Sequence, residues 1–250
     1  MARERYLVGA GEDTIHSGVI ELKTAKDKRA NWWYYHKKHL FVGILVGAIV
    51  VSMIYSIVSK VEPDYTIGMI TSYSLPGAVQ EELEQTLTAY ADDRNGDGKV
   101  VVQVNSYVFG SETEDPQAVQ ASYARFAGDV TMGSCMIYFH DEEGFSALRG
   151  DLAGLFQYND GSPMPEEAKD FENAMRPWED FTALKDFNGQ GSELVNWTPE
   201  IVQELCSRLR VSVRTTVDTN LEGDEKKMAY FEDSLALYQR LLEGEALAAE

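Results

Sequence analysis

"YTIGMITSYSLPGAVQEELEQTLTAYADDRNGDGKVVVQV", residues 65–104, passes from a β-like run through a helical stripe to a second β-like run. The first run, residues 65–71, is uncharged and rich in apolar and β-branched side chains, as a strand requires. Pro76 suits a helix start, and Val79, Leu83, Leu87 and Tyr90 recur at steps of three and four, predicting one buried stripe. Residues 99–107, "KVVVQVNSY", are apolar enough for a strand covered on both faces.

The unit then repeats. Asp115 and Pro116 form an N-cap and first-turn pair, opening a helix that Gly128 can close. Residues 134–140, "SCMIYFH", follow as a third strand. Strands joined by helices imply right-handed crossovers and a parallel sheet between two helical layers. Residues 144–197 are less regular and carry the aromatic anchors Trp178, Phe181, Phe187 and Trp197. Thr198 and Pro199 open another helix, residues 210–217 ("RVSVRTTV") alternate as a strand, and Met228, Phe231, Leu235, Tyr238 and Leu242 mark a terminal amphipathic helix. The expected architecture is α/β: one three-layer domain over residues 65–245 with a mostly parallel sheet of about four strands.

Upstream, residues 40–58, "LFVGILVGAIVVSMIYSIV", run without a charge. At about 1.5 Å per residue they span roughly 28 Å, close to the ~30 Å hydrocarbon core of a bilayer. Their length exceeds the usual apolar core of a cleaved signal peptide, so an uncleaved signal anchor touching lipid through residues 40–58 is expected. Lys23, Lys26, Lys28, Arg29, Lys37 and Lys38 precede the span, whereas Lys60, Glu62 and Asp64 follow it. That asymmetry places the N-terminus in the cytoplasm and the domain outside. Trp32, Trp33, Tyr34 and Tyr35, with Lys37 and Lys38, suit the membrane interface. Residues 1–30 read as a cytoplasmic tail and residues 31–60 as the aromatic-basic flank and span. Gly43 and Gly47 form GxxxG, a candidate helix-packing face.

Charge divides at the same place. Residues 1–60 carry nine Lys/Arg against five Asp/Glu; residues 61–250 carry thirteen against thirty-six. So acidic a domain repels nucleic acid, which is not an expected partner. Cys135 and Cys206 lie in apolar settings and are expected to be buried free thiols rather than a disulfide.

Asp93, Asn95, Asp97 and Gly98 match the first half of an EF-hand-type calcium loop, in which alternating short oxygen ligands converge on a hard cation. The twelfth position holds Val104, not a carboxylate, so another acid such as Asp92 would have to complete the shell. The competing reading is a helix-to-strand turn whose Asp and Asn side chains bind backbone amides. Calcium is the one cofactor the sequence suggests.

Residues 64–107, followed by "ASYARFAGDV" and "IYFHDEEGF", resemble an uncharacterised bacterial single-pass membrane protein family whose exterior domain is similar to one lobe of an extracellular solute-binding protein. The resemblance implies a location and a fold and brings no catalytic residues. Open α/β sheets bind ligands beyond the carboxyl ends of their strands. Here that edge would comprise Thr71, Ser72, Tyr73, Asn105, Tyr107, His140 and Asp141. No nucleophile elbow, phosphate loop or zinc-ligand pair is present. The expected function is therefore non-enzymatic, binding a small ligand or an envelope protein. The alternative is a subunit assembling through the membrane helix, with a hydrolase third.

Overall fold

A capping box starts the first helix. Thr24 Oγ1 accepts from the Asp27 amide (3.2 Å), and the Asp27 carboxylate accepts from the Thr24 amide in return (3.2 Å). Helix α1, Ala25–Val58, therefore begins within the segment expected to be tail and carries the aromatic flank and the apolar run as one rod. The computed structural model describes residues 24–58, 62–110, 116–150, 152, 154–165, 167–189 and 197–247. The rest of the expected tail and the Asp115 cap lie outside these. The chain forms two compact units that divide after Lys60.

In the second unit, β1 (Tyr65–Thr71) is an interior strand, next to the edge, of a five-stranded sheet of order β2-β1-β3-β5-β4, with β2 at Val102–Val108, β3 at Ile137–His140, β4 at Arg176–Pro177 and β5 at Arg210–Val213. β2 and β3 flank β1 in parallel, with Ile67 opposite both Val104 and Ile137. Helix α2 (Gly77–Thr88) links β1 to β2, and α3 (Pro116–Met132) carries the chain back across β1 to β3. Because the two crossovers move in opposite directions, a common hand puts their helices on opposite faces. Accordingly, Val79, Leu83 and Leu87 of α2 enter one core while Phe126 of α3 enters the other.

Strand alternation supplies both cores. Ile67, Met69, Val104, Phe139, Val211 and Val213 face the α2 side, joined there by α5 (Pro199–Ser207) and α6 (Glu225–Glu243). Ile70, Tyr107 and Tyr138 face the α3 side, joined by α4 (Glu142–Leu148) and the irregular segment around Leu152–Ala174. Gly68 lies opposite Tyr138, whose ring occupies the space a Cβ would need, at 2.5 Å.

The sheet differs from expectation in one respect that matters. It is mixed: β5 runs antiparallel to β3 and to β4, so half of the pairings are antiparallel. Alternation marks "RVSV" as a strand but carries no sign of direction, which appears only in its antiparallel pairing with β3 and β4. β4 is a two-residue strand, too short for any periodic signal.

Candidate functional site

Three chain segments converge where β1 and β3 end. Thr71 closes β1 and is buried, with its hydroxyl donating to the Tyr73 carbonyl at 2.6 Å. Asp141 follows β3 and caps α4, its Oδ1 accepting from the Gly144 amide at 2.7 Å. Its Oδ2 accepts from both the amide (2.9 Å) and hydroxyl (2.7 Å) of Ser72. One carboxylate thus ties the end of β1 to the start of α4. Gly144 permits this approach: a Cβ there would stand 2.8 Å from the Thr71 backbone.

Antiparallel β5 brings its first residue to this same end, with Arg210 opposite both His140 and Pro177. The result is a cleft of about 780 Å³. Glu142, Glu143 and Ser146 of α4 line it, as do Leu205 and Ser207 of α5 with Arg208 just beyond, Arg210 at the start of β5, and Glu179, which follows β4. Ser72, Tyr73 and Asp141 also line it. Tyr73 donates to the Leu205 carbonyl (3.4 Å) and packs near Trp197, and burial pushes its hydroxyl pKa up.

Comparison with protein-family models, curated proteins and solved structures returns no match.

Of the seven expected edge residues, Ser72, Tyr73 and Asp141 line the cleft and Thr71 lies buried beside them. His140 is enclosed: Nε2 pairs with Ser212 Oγ at 2.8 Å, and its ring lies against Phe145 and Phe156. Desolvation, with the nearby Arg210 charge, lowers its pKa to about 3. A neutral, covered imidazole is a packing element here.

Asn105 and Tyr107 do not join the cleft. Alternation turns both toward α3, where Asn105 Nδ2 (3.1 Å) and the Tyr107 hydroxyl (2.6 Å) donate to Asp129 and Arg125 donates to Asn105 Oδ1 (2.6 Å). Burial holds the Tyr107 hydroxyl protonated. This saturated network fixes α3 onto β2. Conversely, Glu142, Glu143, Glu179, Arg208 and Arg210 escaped the sequence reading. "HDEEG" placed the first two beside the edge, but the others reach it only through the reversed β5 and short β4.

The acidic loop folds as a turn. Asp93 accepts amides of Gly96 (2.7 Å), Asp97 (3.2 Å) and Gly98 (2.8 Å); Asn95 Oδ1 accepts from Asp97 and Asp97 Oδ1 from Lys99, each at 2.9 Å. Buried Asp64 anchors both ends, accepting from Arg94, Asn95 and Val101. Asp92, the suggested extra ligand, accepts from Tyr65 and Arg240. Gly96 and Gly98 supply the positive φ values of 74° and 82°. Among the described residues, no group of three or more His, Cys, Asp or Glu is placed to hold a metal ion.

On α1, Trp32 stacks on His36 at 4.9 Å, Trp33 meets Phe41, Tyr34 meets Tyr35, and Lys37 lies 5.5 Å from the Tyr34 ring centroid. Lys38 belongs to the same exposed turn. Gly43 and Gly47 sit one turn apart with open space around both.

Proposed function

We propose that this chain is a single-pass membrane protein whose exterior domain, without catalysing a reaction, binds a small ligand or an envelope protein in the cleft above β1 and β3. The observation that carries the reading is the cleft's position: β2 and β3 lie on opposite sides of β1, so the crossovers diverge and leave a crevice at the strand ends. The resemblance to one lobe of a solute-binding protein supports the same reading.

Anchoring rests on α1. Ala25–Tyr55 is long and apolar enough to cross a membrane, with a mean hydropathy of 1.9 in its best window, and none of that window is buried by protein. The 34-residue helix spans about 51 Å at 1.5 Å per residue. That exceeds a ~30 Å core and leaves the Trp-Tyr-Lys turns for the interface. Basic residues before the span and acidic ones after it favour an inside N-terminus.

The test uses the full chain in bacterial cells and in detergent. Protease added to intact cells should digest the carboxyl-terminal unit and spare the tail; recovery of a secreted species trimmed just past Val58 overturns the anchor. A ligand screen by thermal shift should give hits that disappear in the Glu143→Lys, Arg210→Glu double variant. Hits unaffected by those changes would move the binding site elsewhere.

A further inference from the structure

We propose that the cleft takes a small dipolar molecule, neutral to cationic overall, whose carboxylate lies against Arg210 and whose ammonium lies against Glu142, Glu143 and Glu179. This rests on the binding reading above and specifies its ligand.

The charges come from separate chain segments. Glu142 and Glu143 come from α4, which packs through Phe145 and Leu148 on the α3 face of the sheet. Arg208 follows α5, which packs through Val202 and Cys206 on the opposite face, whereas Arg210 opens β5 opposite His140 and alternates with Val211 toward the α4 face. Opposite charges gathered around one cleft would normally collapse into ion pairs. Among the described residues, Arg210, Glu142, Glu143 and Glu179 make no side-chain hydrogen bond or ion pair, although all line one cleft. The two other charged groups are engaged: Arg208 pairs with Glu204, and Asp141 is filled by Ser72 and Gly144.

Charge count narrows the ligand further. Four carboxylates and two guanidinium groups line the cleft, leaving it net acidic. A phosphate dianion would meet repulsion from three unpaired glutamates, whereas one carboxylate can take the planar fork of Arg210. An ammonium at the other end answers the glutamates. Tyr73 and Leu205 lie among these groups and offer apolar contact for a short methylene spacer. Because the charged walls are exposed, each contact is screened and the affinity is weak, on the order of 0.1–1 mM.

Saturation-transfer NMR on the full chain in detergent micelles reads this directly. The probes are ω-amino carboxylates from glycine to ε-aminocaproate, with n-alkyl carboxylates, n-alkylammonium ions and inorganic phosphate as comparators. Binding by the amino carboxylates alone, weakened about tenfold by Arg210→Gln and again by Glu143→Gln with Glu179→Gln, is the expected result. Lys185→Gln, a surface change outside the cleft, should leave it unaltered. Equal binding by a singly charged comparator or by phosphate, still lost in Arg210→Gln, overturns the dipolar assignment and leaves the cleft as a binding site. Uptake of no probe overturns the dipolar assignment, and uptake indifferent to all three cleft positions overturns the cleft as the binding site as well.

Discussion

His140 occupies the carboxyl end of β3 at 1% exposure, with Ser212, Phe145 and Phe156 around its ring. The unfolded imidazole takes a proton near pH 6.5, but the folded one resists until about pH 3. The unfolded state thus binds more protons across that window, and stability falls as the pH drops through it. The slope approaches about 1.4 kcal/mol per pH unit. Urea unfolding of a His140→Gln variant should show lower stability at neutral pH and a flatter profile between about pH 5 and 6.5, above the carboxylate range. An unchanged slope would remove His140 as its source. Gly144 makes a second prediction at this scale. An added methyl would press on the Thr71 backbone rather than on a yielding side chain. Gly144→Ala should therefore cost about 1–3 kcal/mol in a thermal melt, through displacement of α4 from β1. "HDEEG" contains both residues, yet it does not reveal that one is sealed and the other is a contact point.

Elements were legible where local chemistry decides them. β1 begins and ends where its apolar run does, and α2 buries Val79, Leu83 and Leu87 as their spacing requires. α3 runs past Gly128 to Met132 because its stop lies in tertiary contacts: Gly133 takes φ 60°, while Arg214 (2.5 Å) and Asn220 (3.0 Å) donate to the Val130 and Thr131 carbonyls. In α6 the buried stripe is rotated from the expected one: Tyr230, Ser234, Leu237 and Leu241 join Phe231 and Tyr238, while Met228, Leu235 and Leu242 are half-buried at its margin. Ser234 is tolerated in that stripe because its hydroxyl donates to the Tyr230 carbonyl of its own helix at 2.7 Å. β2 is the sheet edge, and α2 covers it: Glu84 accepts from the Val104 amide at 2.8 Å and Gln80 donates to its carbonyl at 2.9 Å. Such coverage guards an edge against pairing with another chain. Glu84→Ala should speed exchange of the Val104 amide by roughly tenfold, the loss of about one net hydrogen bond. An unaltered rate would mean that the clamp does not protect the edge.

At the scale of the molecule, Cys135 and Cys206 report the two cores independently. They are free and buried in clusters on opposite faces of the sheet, and burial pushes both thiols up to about 12. A maleimide should label neither in the native chain. If one sheet unites the cores, both should become reactive at the same urea concentration, read by mass spectrometry; separate midpoints would show two folding units. By itself the sequence determined the apolar helix, the three parallel strands with their crossovers, and the acidity of the second unit, because each depends on residues close together in the chain. Only the tertiary structure decided the direction of β5, the enclosure of His140, the diversion of Asn105 and Tyr107 to α3, and the meeting of Arg210 with Glu143 and Glu179. Periodicity reports which side of a strand a residue faces. It does not report which distant strand lies alongside, and that neighbour is what brings Arg210 to the cleft.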